Sequence, residues 1–99
     1  MSNEDEEARV KENQQVIRKY LFGQFGGFQL TEDTPDRPLG HKFTVTKLKP
    51  LEQYRLIVSW SKISDGDNTP AKIKQLLVTD DVANRMRDKQ GEYFSWGNF

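Results

Sequence analysis

The most constraining stretch of this chain is residues 54–63, YRLIVSWSKI. Tyr54, Leu56, Val58 and Trp60 alternate with Arg55, Ile57, Ser59 and Ser61. Strand side chains point to opposite faces with a period of two, so the pattern predicts one large apolar face and one mostly small or polar face. A half-covered strand belongs in an antiparallel or mixed sheet, because strands buried on both faces read as unbroken apolar runs. The apolar face needs a cover, and two helical patterns elsewhere in the chain can supply it.

The first pattern spans residues 4–22, which contain no Gly or Pro and many good helix formers. Ser2 or Asn3 can cap it, and the acids from Glu4 to Glu7 suit the positive end of its dipole. Val10, Ile17 and Leu21 share one face, flanked by Val16 and Tyr20. Residues 11–15 are wholly polar, so fraying is expected over residues 1–9 and packing over the last two turns. Gly23 is the expected left-handed residue after the helix.

Residues 22–28, FGQFGGF, interleave Phe22, Phe25 and Phe28 with glycines. These glycines follow a helix and precede a strand, the reverse of a phosphate-cradling dinucleotide loop. The segment is expected to be a tight connection whose Phe side chains plug one end of the core. Phe22 and Phe25 are also candidates for a partner groove.

Residues 28–33 predict a short strand with Phe28 and Leu30 inward, and the prolines and glycine of 34–40 predict a turn. Residues 41–49 predict a second strand, with Phe43 and Val45 inward and Lys42, Thr44 and Thr46 outward. A bulge near Lys47 is expected to bring Leu48 inward. With Lys49 and Pro50 as a turn, three strands form an antiparallel meander.

Residues 64–68, SDGDN, place Asp65, Asp67 and Asn68 as in half of a calcium loop, but the twelfth position from Asp65 is Leu76 rather than Glu. A polar Asx-rich turn is the simpler reading. Thr69 and Pro70 are a helix N-cap and first-turn pair. The helix they open carries Ile73, Leu76 and Leu77 on one face. Thr79, Asp80 and Asp81 form a second capping signal ahead of Val82, Ala83 and Met86, so a break at Thr79 is expected. A competing reading makes residues 72–78 a fourth strand. The tail, 92–99, holds Tyr93, Phe94, Trp96 and Phe99, which predicts docking on its own chain, as an extra strand, or on a partner.

The resulting fold class is α+β, as one small domain over residues 1–99. An N-terminal helix precedes a three-stranded antiparallel meander, then one or two helices on one sheet face, then an aromatic tail available as a further strand. The expected core is Ile17, Leu21, Phe28, Leu30, Phe43, Val45, Leu56, Val58, Trp60, Ile73, Leu77 and Met86.

Composition narrows function mainly by exclusion. There is no cysteine, hence no disulfide or thiolate chemistry. No apolar run approaches the roughly 20 residues of a membrane span, and no membrane partner is expected. These features fit a cytoplasmic protein. The single histidine, His41, reads as a surface residue at a strand edge, without a nucleophile to serve. No catalytic residue, metal ligand or cofactor site is assigned, and the chain reads as non-enzymatic.

Two functional expectations remain. The first is a protein-interaction or regulatory module, with Phe22, Phe25, Tyr93, Phe94, Trp96 and Phe99 meeting a protein partner or a second copy of the chain. The second is nucleic-acid binding by the solvent face of the sheet, through Lys42, Lys47, Lys49, Arg55 and Lys62. The formal net charge of zero weighs against it. Residues 41–75 nevertheless hold seven bases and three acids, the only basic region. The alternation at 54–60 turns the aromatics away from that face, leaving no stacking platform.

Overall fold

A computed structural model of the chain describes residues 3–33 and 40–99. The expected turn at 34–40, apart from Gly40, and the expected cap at Ser2 lie outside the described residues. The elements are α1 (Asn3–Gln24), β1 (Gln29–Asp33), β2 (Gly40–Leu48), β3 (Leu51–Ser59), α2 (Trp60–Ser64), α3 (Pro70–Thr79), α4 (Val82–Asp88) and β4 (Tyr93–Trp96). The sheet order is β1-β2-β3-β4. The first three strands form the antiparallel meander, and the aromatic tail adds β4 parallel to β3. The fold is α+β, as the sequence predicts.

The alternation on β3 holds as far as Val58. Leu56 and Val58 are buried, and Tyr54 is half-buried against the rings of Phe25 and Phe28. The strand then stops four residues early. The Ser59 side chain accepts a hydrogen bond from the Lys62 amide and caps α2, so residues 60–63 are helical rather than extended. Trp60 is consequently half-buried at the core margin, and Ile63, which strand parity turned outward, is fully buried.

The helices cover one face of the sheet. Phe43, Val45, Leu56, Val58 and Trp96 from the strands meet Ile17, Leu21, Ile63, Ile73, Leu77, Val82 and Met86 in one buried cluster. Each such side chain contributes about 1.5–3 kcal/mol of transfer free energy. Leu30, expected inside, is only half-buried because β1 is an edge strand, and Phe28, just ahead of that strand, is half-buried as well. Residues 72–78 are helical, which overturns the fourth-strand alternative: Thr69 caps the Lys72 amide and Pro70 opens α3. The break falls where expected, with Asp81 left-handed at φ 52° between α3 and α4.

Partners that lie far away in sequence set two further departures, and the end of α1 also shifts. The polar run of α1 is tied to the rest of the fold rather than solvated. Asn13 is fully buried and donates to the carbonyls of Ile63 and Asn68, both at 2.8 Å, and Arg9 donates twice to the Ser64 carbonyl. These bonds occupy carbonyls at the end of α2 and in the loop after it, groups that otherwise lack helical partners. Gly23 does not end α1, which continues to Gln24; Gly27, at φ 83°, takes the left-handed conformation instead. His41 is buried rather than on the surface. Its Nε2 donates to Glu32 Oε1 at 2.8 Å, its Nδ1 lies 3.4 Å from Gln14 Nε2, and its ring meets Phe43 edge-on.

Candidate functional site: the open face of the sheet

Strand alternation sends a second set of side chains to the face that no described helix covers. On β2 these are Lys42, Thr44, Thr46 and Leu48, and on β3 they are Ile57, Arg55, Gln53 and Leu51, each opposite its β2 partner in that order. The register runs without interruption to the Leu48–Leu51 pair. There is therefore no bulge at Lys47, and Leu48 stays in phase with Thr46 on the open side. Leu48 is 74% exposed and Leu51 68% exposed, side by side at the hairpin end.

β4 extends this face. Pairing of Leu56 with Phe94 and of Val58 with Trp96 sends both aromatics inward, so Tyr93 and Ser95 point outward beside Arg55 and Ile57. Lys42 Nζ lies 5.2 Å and Arg55 Cζ 5.4 Å from the centre of the Tyr93 ring, Arg55 from the adjacent strand β3 and Lys42 reaching across it from β2. Cation–π contacts of this kind are worth about 0.5–1 kcal/mol at exposed sites. Arg55 is further fixed by two hydrogen bonds to Gln53 Oε1, and Gln53 donates to Thr46. The centre of the face is thus ordered before anything binds it. It carries Asp33 as well as Lys42 and Arg55, so it is only weakly basic.

The residues singled out in the sequence scatter. Phe25 and Trp96 are core residues, and Phe94 is half-buried against the core. Trp96 donates its indole N–H to Asp80 at 2.8 Å, under the Lys62 ammonium at 4.3 Å from its ring. The tail is thereby committed to its own fold, leaving Tyr93 on the open face and Phe99 exposed. Phe22 is exposed on α1, away from that face. Among the five candidate cations only Lys42 and Arg55 reach the open face. Lys47 points to the helix side over Phe28, Lys49 sits in the turn, and Lys62 belongs to α2. Leu48, Leu51, Ile57 and Tyr93 were not assembled by sequence reasoning, although parity without a bulge would have grouped the first three.

Glu32 and His41 are the paired titratable groups nearest to catalytic chemistry. Burial pushes the Glu32 carboxyl up, but hydrogen bonds from Arg18 and His41 outweigh it and hold Glu32 below the ordinary glutamate value. The pair ties β1 and β2 to α1 beneath the helix layer. No helix among the described residues is long and apolar enough to cross a membrane. Comparison of the chain with family models, curated proteins and solved structures finds no match.

Proposed function

We propose that this chain is a non-enzymatic protein-interaction module of the cytoplasm that binds a protein partner through the open face of its sheet. The supporting observation is the exposed Leu48–Leu51 pair, continuous through Gln53, Arg55 and Ile57 with Tyr93. One-sided antiparallel sheets normally alternate apolar-in and polar-out, and only 34% of this chain is apolar. Placing Leu, Leu, Ile and Tyr on the wet side of such a chain costs solubility unless something covers them. Tyr and Arg at the centre are the residue types that dominate interface energetics. The tail contributes through Tyr93, not through Trp96.

The test compares wild type with Leu48→Thr/Leu51→Thr and with the control Val78→Ala, which removes exposed apolar surface on α3. Partners captured from extract of the cell that makes the protein, and self-association by sedimentation equilibrium, are measured for all three. A partner or dimer retained by wild type and Val78→Ala but lost from the double variant supports the reading. An interaction indifferent to the leucines, or a monomer that retains nothing specific, overturns it.

A second reading has one observation in its favour: Tyr93 lies between Lys42 and Arg55, the aromatic-plus-cation pairing that single-strand binders use. It predicts oligonucleotide affinity that falls steeply with salt and is lost in Tyr93→Ala. Absence of binding at low salt removes it.

A further inference from the structure

β3, α2, α3, α4 and β4 form a strand–helices–strand unit whose two strands run parallel. Loops at the carboxyl ends of parallel strands are where open sheets with crossover helices place small ligands. At that end, between Ser59 and the residues following Trp96, lies a cavity of about 340 Å³, within the size range of small-ligand sites. Its wall includes Ser59, Ser61, Lys62, Asp65, Lys72 and Asn98. We propose that this cavity binds a small phosphate monoester, with the phosphate between Lys62 and Lys72 and the remainder of the molecule toward Asp65 and Asn98.

Lys62 carries the inference. Its side chain is 19% exposed and is held over the Trp96 ring, yet its ammonium makes no hydrogen bond among the described residues. The nearest acid oxygen is Asp80 Oδ2 at 3.9 Å, and that same atom already accepts the Trp96 indole N–H at 2.8 Å. An ammonium has three donors and no acceptor. One that is held over Trp96, and whose ion pair with Asp80 is longer than a hydrogen bond, sits on the wall of a cavity in position to meet an incoming oxyanion. Lys72 approaches from a different element, and Ser61 adds a hydroxyl 3.3 Å from that of Ser59. A tetrahedral anion accepts from several directions at once, and lysines serve it as point charges. Asp65, exposed on the rim, accepts the Asp67 amide at Oδ1, and its carboxylate is the acceptor this site offers to a sugar-type hydroxyl.

The cavity also has a fixed back wall. A Cβ on Gly97 would lie 2.0 Å from Ser59 Oγ, and Gly97 has φ 119°, so only glycine lets the chain pass this closely and carry Asn98 to the rim. The site lies at the end of the sheet, is distinct from the open face and does not depend on the reading given to that face.

The test is a ¹H–¹⁵N titration with ribose 5-phosphate, inorganic phosphate and unphosphorylated ribose at constant ionic strength. Expected are saturable shifts at Ser61, Lys62, Lys72, Asn98 and the Trp96 indole, with the Trp60 indole unmoved. The ester should bind about tenfold more tightly than inorganic phosphate, and ribose should not bind. Lys72→Glu changes an exposed side chain and should weaken binding by at least about tenfold. Lys62→Gln should abolish binding with the amide spectrum otherwise retained. Non-saturable shifts spread over all lysines, equal affinity for ester and inorganic phosphate, or unchanged affinity in Lys72→Glu would each overturn the assignment.

Discussion

The two ends of the sheet invert the usual distribution of polarity in opposite ways. At the hairpin end, Leu48 and Leu51 stand in water. At the other end, where β3 passes into α2, Asn13, His41 and Ser59 are buried. The buried polar groups have their reasons inside the molecule. Ser59 caps α2, Asn13 binds the carbonyls of Ile63 and Asn68, and His41 binds Glu32. A buried polar group is tolerable when it is hydrogen-bonded, and costly when its partner is lost. The leucines have no such internal reason. Nothing in the fold requires Leu at positions 48 and 51, and that asymmetry is what directs attention outward. The comparison can be broken at either end, and the largest effect belongs to the polar one.

Asn13→Asp is the most damaging single change expected. It replaces a two-bond donor with a carboxylate aimed at two carbonyl oxygens in a fully buried position. The loss should be about 3 kcal/mol or more at neutral pH. Asn13→Ala should lose less, about 2 kcal/mol, because it also removes Oδ1, a buried acceptor with no partner among the described residues. Urea denaturation of the two variants checks the order. If Asp is tolerated better than Ala, the α1–α2 junction is not held by donation from Asn13.

A smaller effect is expected at Glu32. Its folded-state value lies below the ordinary one, so the native state binds its proton less readily than the unfolded chain does. The stability this contributes is complete above the unfolded value, near pH 4.5, and is lost as pH falls through the lower folded value. Wild type should therefore lose stability on acidification more steeply than Glu32→Gln, which should itself be weaker by about 1 kcal/mol at neutral pH. Thermal melts between about pH 3 and 7 separate them. Parallel acid profiles would remove Glu32 from the bonds that hold α1 to the meander.

The same contrast shows what was legible in the sequence. The meander, the Thr69–Pro70 start of α3, the break near Asp80 and most of the apolar core follow from local patterns, because each is set by neighbours within a few residues. Asn13 looked like part of a solvated run because its partners lie 50 and 55 residues away. His41 looked like a surface residue because Glu32 and Gln14 come from other elements. Trp60 looked like strand because parity carries no signal for a serine cap that ends it. The open face was half-readable. Parity placed Lys42 and Arg55 on it, but an expected bulge removed Leu48, and nothing before the parallel pairing of β4 could show that Tyr93 rather than Trp96 joins it.

The smallest effect on stability, and the sharpest test of the comparison, belongs to Leu48→Thr/Leu51→Thr. Threonine suits a strand as well as leucine does, and the exposed pair gives up only a cross-strand contact worth about 0.2–1 kcal/mol. Denaturation should therefore show a loss below about 1 kcal/mol, with the slope against denaturant unchanged, while partner retention or self-association falls. Such a separation of stability from binding is what residues kept for an external surface produce. A loss of about 2 kcal/mol or more would place the leucines among the groups the fold itself needs. The two ends of the sheet would then be alike, each shaped by internal packing, and the case for the open face would rest on Tyr93 with its two cations.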